Sequence, residues 1–180
     1  MTGGGVEVDD IEPFLSPAFV DFSKPLPANP AADAQLKTVL AAITQPPTPK
    51  PVPPLPAKAK AISGKLYAFV PNPLQIDKLG VTFNAPAEAL LQITSSGGEP
   101  ASWPIGLDGV YRLSKGKYNL PQGLRGAWVD NETFVCEYDN IANNDHIFLR
   151  LHFSGDRLVI ESQETAHELG NRFEGKLQNP

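Results

Sequence analysis

Cysteine is nearly absent from this chain of 180 residues. Cys136 stands alone, so no internal disulfide and no cysteine-based metal cluster can form. Charge is also sparse. Charged residues make up 19% of the chain, against about 25% in an average domain, and the formal net charge is −5. An acidic chain without a basic run interleaved with aromatics cannot grip phosphates, which argues against nucleic acid and against anionic membrane surfaces. Long apolar runs are missing too; none approaches the roughly 20 residues that a membrane span needs. The opening MTGGGVEVDD has neither the positive n-region nor the apolar h-region of a signal peptide. The three histidines, His146, His152 and His167, are dispersed and lack metal-ligand spacing, so neither a metal nor a cofactor is expected.

Proline, by contrast, is abundant, with 19 residues. Seven of them, from Pro46 to Pro56, crowd into PPTPKPVPPLP, a density that forbids helix and central strand and favours extended polyproline II. This segment reads as a spacer running over a surface, with SH3-type partner recognition as the lesser alternative. Before it, Asn29-Pro30 reads as a helix cap followed by a first-turn proline. Ala32, Leu36, Val39, Leu40 and Ile43 then recur at helical spacing, so a short helix is expected over about 30–43. About fourteen residues with one apolar stripe are marginal in isolation, and such a helix must lean on something.

From Ala61 the periodicity switches to two. Strands are expected near 62–70, 76–83, 88–95, 101–106, 109–114, 124–130, 132–139, 146–153, 156–163 and 171–177. Turn signals separate them, among them Asn84-Ala85-Pro86, Asp108-Gly109, Asn143-Asn144-Asp145 and Gly155-Asp156. Short strands with hairpin-length links and no intervening helices predict a mainly β fold, an antiparallel barrel or sandwich of about eight to ten strands. Two parts are therefore expected: residues 1–60, an extended lead-in with one short helix and a Pro-rich linker at 46–56, and residues 61–180, the β domain.

Several residues invite a chemical reading. Ser114 and Lys117 spell Ser-x-x-Lys, and Tyr138-Asp139-Asn140 spells Tyr-x-Asn. A working Ser-x-x-Lys needs its serine at the start of a buried helix, so that the lysine one turn on shares its face and is desolvated. Ser114 instead follows the strand-like GVYRL, with Gly116 and Pro121 beyond it, and a solvated hairpin turn is expected there. No catalytic residue is expected. His146 and His152 share strand parity and could approach Asp145 and Glu137 on a sheet, but polar surface positions are the plainer reading. Glu161, Glu164 and Glu168 read as a solvated face. Gly126-Ala127-Trp128 matches a Gly-x-Trp that lipocalins carry on their first strand, though here it falls mid-domain. Trp103 and Trp128 are expected as core or rim anchors; alternatively, Trp103, Tyr111, Trp128 and Tyr138 line the ligand mouth of a barrel.

Taken together, several stretches resemble the C-terminal region of bacterial β-lactamase-related, penicillin-binding-protein-like serine hydrolases. They are KPLPANPAADAQL (24–36), ISGKLYAFVPNPL (62–74), WPIGLDGVYRL (103–113), GAWVDNETFVCEYDNI (126–141), LRLHFSGDRLVIESQE (149–164) and FEGK (173–176). The resemblance implies a lipocalin-like barrel for 61–180. It also implies that Ser-x-x-Lys, Tyr-x-Asn and the third motif of such enzymes belong to a catalytic domain preceding residue 1. On that view the chain is a non-catalytic accessory module in a soluble bacterial protein of the cytoplasm or periplasm. It would pack on its catalytic domain in cis and shape substrate access or assembly. The alternative is a free-standing lipocalin-like module that binds a small apolar ligand inside the barrel.

Overall fold

The structure is a computed structural model and describes residues 8–18, 27–45, 47–116, 119–141, 145–165 and 169–178. The opening seven residues, the FVDFSKPL stretch (19–26), Pro46, Lys117, the turn residues Asn143 and Asn144, and His167 and Glu168 lie outside the described residues. The chain divides into two units, Val6–Thr48 and Pro49–Pro180.

The first unit is helical. Helix α1 (Val8–Leu15) ends in a 3-10 turn at Ser16–Ala18. Helix α2 (Pro30–Ile43) starts as its Asn-Pro pair implies: the Asn29 side chain accepts a hydrogen bond from the Ala32 amide at 3.1 Å, and Pro30 occupies the first turn. None of the residues of α2 is buried, and Leu36, Val39, Leu40 and Ile43 are exposed along its length.

The second unit begins with the extended segment 49–56 and a short helix α3 (Ala57–Ile62). Ten strands follow: β1 (Leu66–Phe69), β2 (Ile76–Ala85), β3 (Glu88–Ser95), β4 (Pro100–Gly106), β5 (Arg112–Lys115), β6 (Pro121–Trp128), β7 (Thr133–Asn140), β8 (Asp145–Ser154), β9 (Arg157–Glu164) and β10 (Leu169–Leu177). They form one sheet in the order β4-β3-β2-β1-β10-β9-β8-β7-β6-β5, every neighbouring pair antiparallel. A parallel bridge from Gly106 to Arg125 joins β4 to β6 and rolls nine of these strands into a closed barrel, with β5 as an extra strand on β6. The mainly β barrel expected from the period-two pattern is thus the fold of the chain. Some boundaries differ: β5 and β6 start three residues after and before the expected 109 and 124, and Ile62 ends a helix rather than opening a strand, because it turns inward beneath the barrel at 4% exposure and leaves β1 to start at Leu66.

Closure depends on side chains as much as on the backbone. Gly106 sits so close to Val110 that a Cβ would lie 1.8 Å from the Val110 carbonyl oxygen, so only glycine fits. From β5, Arg112 reaches across the seam. Its Nε donates to Glu88 Oε2 at 3.2 Å, and Nη2 donates to the Ala87 carbonyl at 3.1 Å. Nη1 and Nη2 take both carboxylate oxygens of Asp108, at 3.1 and 3.0 Å. The Asp108-Gly109 pair accordingly does more than turn the chain. Asp108 is buried, accepts the Val110 amide at 3.1 Å, and is held below the usual carboxylate range chiefly by Arg112.

The two ends of the barrel differ. At the end carrying α3 and the β6–β7 and β8–β9 turns, the interior is filled. Phe83, Trp128, Phe134 and Phe153 interlock there, with ring centroids 5.4–6.0 Å apart. Over the same end the Pro-rich segment from Pro49 onward runs across the surface as a strap. The Lys50 amide donates to the Asp108 carbonyl at 2.8 Å, and Val52 and Leu55 pack on the core. A pocket of about 50 Å³ between the strap and Trp128 is room for a water or two.

Candidate ligand-binding site

At the opposite end the barrel is not filled. The inner faces of β2, β3, β4, β7 and β8, together with Leu74 in the β1–β2 loop, enclose a cavity of about 230 Å³. Its wall follows from strand parity and register. Leu91 faces inward and stands opposite Trp103, placing the indole inside; Tyr138 faces inward opposite Ile147. Apart from Ser95 and the Tyr138 hydroxyl, the lining is aliphatic or aromatic: Ile76, Leu91, Ile93, Trp103, Ile147 and Leu149 among others. Such a wall holds apolar matter and offers no charge to it.

A polar row stands beside this wall on the same inner face, at the mouth ends of β5–β8. The Tyr138 hydroxyl donates to Gln122 Oε1 at 3.0 Å, and Gln122 Nε2 donates to Ser114 Oγ at 3.2 Å. Gln122 is 1% exposed. Asn140, two residues beyond Tyr138 on the same face, donates from Nδ2 to Asp145 Oδ2 at 3.3 Å. Among the described residues, the buried Asn140 Oδ1 has no hydrogen-bond partner, nor has Trp128 Nε1 at the filled end. Burial, with the nearby Asp145 charge, raises the Tyr138 phenol above its ordinary value, so it stays a neutral donor.

Ser114 therefore does not occupy a solvated turn. It lies in β5 in register with Gln122, half-buried, and accepts the Gln122 amide. The segment is extended rather than helical, so nothing there resembles the buried helix start that an active Ser-x-x-Lys requires. Tyr138 and Asn140, the ends of the Tyr-x-Asn spelling, belong to the inner face of β7 and to this polar row.

The four aromatic candidates go to three places. Trp103 and Tyr138 share the cavity. Trp128 belongs to the packed aromatic cluster at the filled end, and Gly126 of the Gly-x-Trp leaves room for the Phe134 ring, which a Cβ would meet at 2.5 Å. Tyr111 lies on the outer surface, its ring 4.4 Å from the Arg125 guanidinium carbon and its hydroxyl donating to Glu137.

That outer cluster is the main charge constellation of the barrel wall. Arg125 Nε and Nη2 donate to the two Glu137 oxygens at 2.6 and 2.8 Å, and His146 Nε2 donates to Oε1 at 2.7 Å. Burial pushes the Glu137 carboxyl up, but the hydrogen bonds from Arg125, Tyr111 and His146 outweigh it and hold it at about 2. Burial and the neighbouring Glu137 raise the Tyr111 phenol well above its ordinary value. Every group here is paired with another and none is a free acid, base or nucleophile. His152 shares the outer face of His146, as parity implies, but bonds Thr133 Oγ1 at 3.1 Å instead of joining the cluster. Among the described residues, no group of three or more His, Cys, Asp or Glu side chains is placed to hold a metal ion, and no helix is long and apolar enough to cross a membrane.

No protein-family model and no curated protein sequence matches the chain. Its structure is similar to a fatty-acid-binding protein isolated from Manduca sexta, with a TM-score of 0.47 and 15% identity over 64% of this chain and 98% of that one. It is also similar to secretory abundant heat soluble protein 4 from Ramazzottius varieornatus, with a TM-score of 0.46 and 8% identity over 57% of this chain and 70% of that one. At these identities the likeness is one of fold.

Proposed function

We propose that the barrel is a binding module for a small apolar ligand, held in the cavity at its open end. The observation that carries this reading is the contrast between the two ends. One is packed solid with aromatic rings, whereas the other keeps about 230 Å³ walled by aliphatic and aromatic side chains. A barrel stabilised only by its core gains by filling such space, since each lost packing contact weakens it. At about 30 Å³ for each water-sized unit, the cavity takes a chain of roughly seven or eight carbons. Burial at about 0.8 kcal/mol per methylene gives a gross gain of roughly 6 kcal/mol, which association costs reduce. Weak, reversible binding is therefore expected.

Titration with 1-octanol, whose eight carbons match the cavity, followed by backbone amide chemical shifts, tests the reading. Saturable shifts at the cavity residues are expected, and Ile93→Trp, which pushes an indole into the cavity, should abolish them while circular dichroism stays unchanged. A wild-type chain whose spectrum octanol leaves unchanged would refute the proposal.

A second reading draws on α2. Its exposed apolar stripe of Leu36, Val39, Leu40 and Ile43 gives a marginal helix a reason to seek a partner. On this reading the chain is a non-catalytic accessory module. It packs in cis on the catalytic domain of a β-lactamase-related serine hydrolase and shapes substrate access. Co-expression with such a domain tests it: no complex, and hydrolysis indifferent to the module, would end it.

A further inference from the structure

We propose a second binding site on the outer wall of the barrel, a groove across β8–β10 that takes an aromatic carboxylate. Strand register builds it. On the outer face, Arg150, Glu161 and Arg172 stand side by side on β8, β9 and β10. The next outward row towards the mouth is Phe148, Gln163 and Gly170. That row ends on a residue without a side chain, and a groove of about 610 Å³ opens there, lined by all six. A Cβ built on Gly170 would meet the Ser162 carbonyl oxygen at 3.6 Å, an ordinary contact, so the floor at this point is open space rather than a tight fit. The groove shares no lining residue with the inner cavity, and it stands independently of the ligand-binding reading.

The charges of the lining call for one anion. Arg172 donates from Nε to Glu161 Oε1 at 3.1 Å, and its two terminal nitrogens are unengaged among the described residues. Arg150 is exposed and makes no hydrogen bond or ion pair among those residues. Asp130 shares an adjoining groove with Arg150, but its Oδ1 already accepts the Glu132 and Thr133 amides at 2.8 and 2.7 Å. Two guanidiniums against the single carboxylate of Glu161 leave one positive charge unanswered in the groove, on a chain that is acidic overall. A guanidinium fork matches a carboxylate with two parallel hydrogen bonds. The half-buried Phe148 ring and the guanidinium planes offer flat faces, which suit an aromatic body better than a flexible chain.

Titration of the intact chain with 2-naphthoate at pH 7.5, followed by backbone amide chemical shifts, tests the proposal. Saturable shifts at Gln163, Gly170 and Arg172 are expected. Arg150→Gln should weaken binding about tenfold, and 2-naphthol, the same body without the charge, should bind there at least about tenfold more weakly. Glu161→Gln removes the competing carboxylate and should tighten 2-naphthoate about threefold. Gly170→Val fills the groove at an exposed strand position and should abolish the shifts while circular dichroism stays unchanged. 2-Naphthoate that moves none of these amides would overturn the proposal, as would equal affinity for 2-naphthol or an affinity indifferent to both Arg150→Gln and Gly170→Val. Shifts confined to the cavity residues would overturn it too, while leaving the ligand-binding reading of the barrel interior standing.

Discussion

Replacing Glu137 with glutamine isolates the charge that Arg125, Tyr111 and His146 share on the barrel wall. Glu137 joins β6 to β7 through the two-pronged bond with Arg125, and it collects Tyr111 and His146 besides. A carboxyl that ionises at about 2 in the fold and at 4.5 when free contributes roughly 3 kcal/mol at neutral pH, since each tenfold change in proton affinity is worth about 1.36 kcal/mol. Arg125 is 39% exposed, and solvent screening trims this to about 2–3 kcal/mol. The sign follows from the direction of the shift. The folded carboxyl is the stronger acid, so the contribution is complete above about pH 5 and is lost as pH falls through 4.5 towards 2. Urea unfolding followed by tryptophan fluorescence should therefore show Glu137→Gln less stable than wild type by about 2–3 kcal/mol at pH 7. Between pH 4.5 and 3 the difference should shrink by about 1.4 kcal/mol per pH unit. The difference curve matters more than either curve alone, because Asp108 and Asp130 are also held below the usual carboxylate range and titrate in both proteins. A gap that is constant with pH, or below about 0.5 kcal/mol at pH 7, would refute the assignment.

Other outcomes follow from single residues. Ser114→Ala should remove no hydrolytic activity and leave wild-type labelling by fluorophosphonate or β-lactam probes at background; its cost is the Gln122 hydrogen bond, about 1 kcal/mol in a urea melt. Burial, with Glu137 nearby, pushes the Cys136 thiol up to about 12, so it should react with Ellman's reagent only in denaturant. Leu55→Ala should lower stability by about 1–2 kcal/mol, because a half-buried leucine of the strap then leaves the core, and an unchanged melting temperature would mean the strap is dispensable.

Strand existence was legible where the period was clean. β3, β7, β8 and β9 alternate inward and outward residues between unambiguous turn signals, and each lies within two residues of its expected span. Two helices escaped notice for local reasons. In α1, Pro13 argues against helix, and the AKAKAI of α3 alternates like a strand although it buries Ala59 and Ile62 as a helix does. The site was less legible. Parity tells which residues of one strand share a face, but not which strands meet across the interior. Trp103 and Tyr138 lie on strands that are not neighbours in the sheet, and only closure of the ring brings them to one cavity. Tyr111, the residue just before β5 begins at Arg112, falls outside. The Asn140 oxygen carries no signal in sequence at all, since its lack of a partner is a property of the packed mouth.

The seam between β4 and β6 has a consequence beyond the single molecule. β4 meets β6 only at Gly106, so its long side from Pro100 to Ile105 is an edge, as is the side of β5 that does not pair with β6. Edges recruit strands from other chains. Here Pro100 and Pro104 withhold two backbone donors, and Arg112 holds the rim shut from the far side. The residues that complete the ring thus also lie where an exposed edge would otherwise offer unpaired backbone groups.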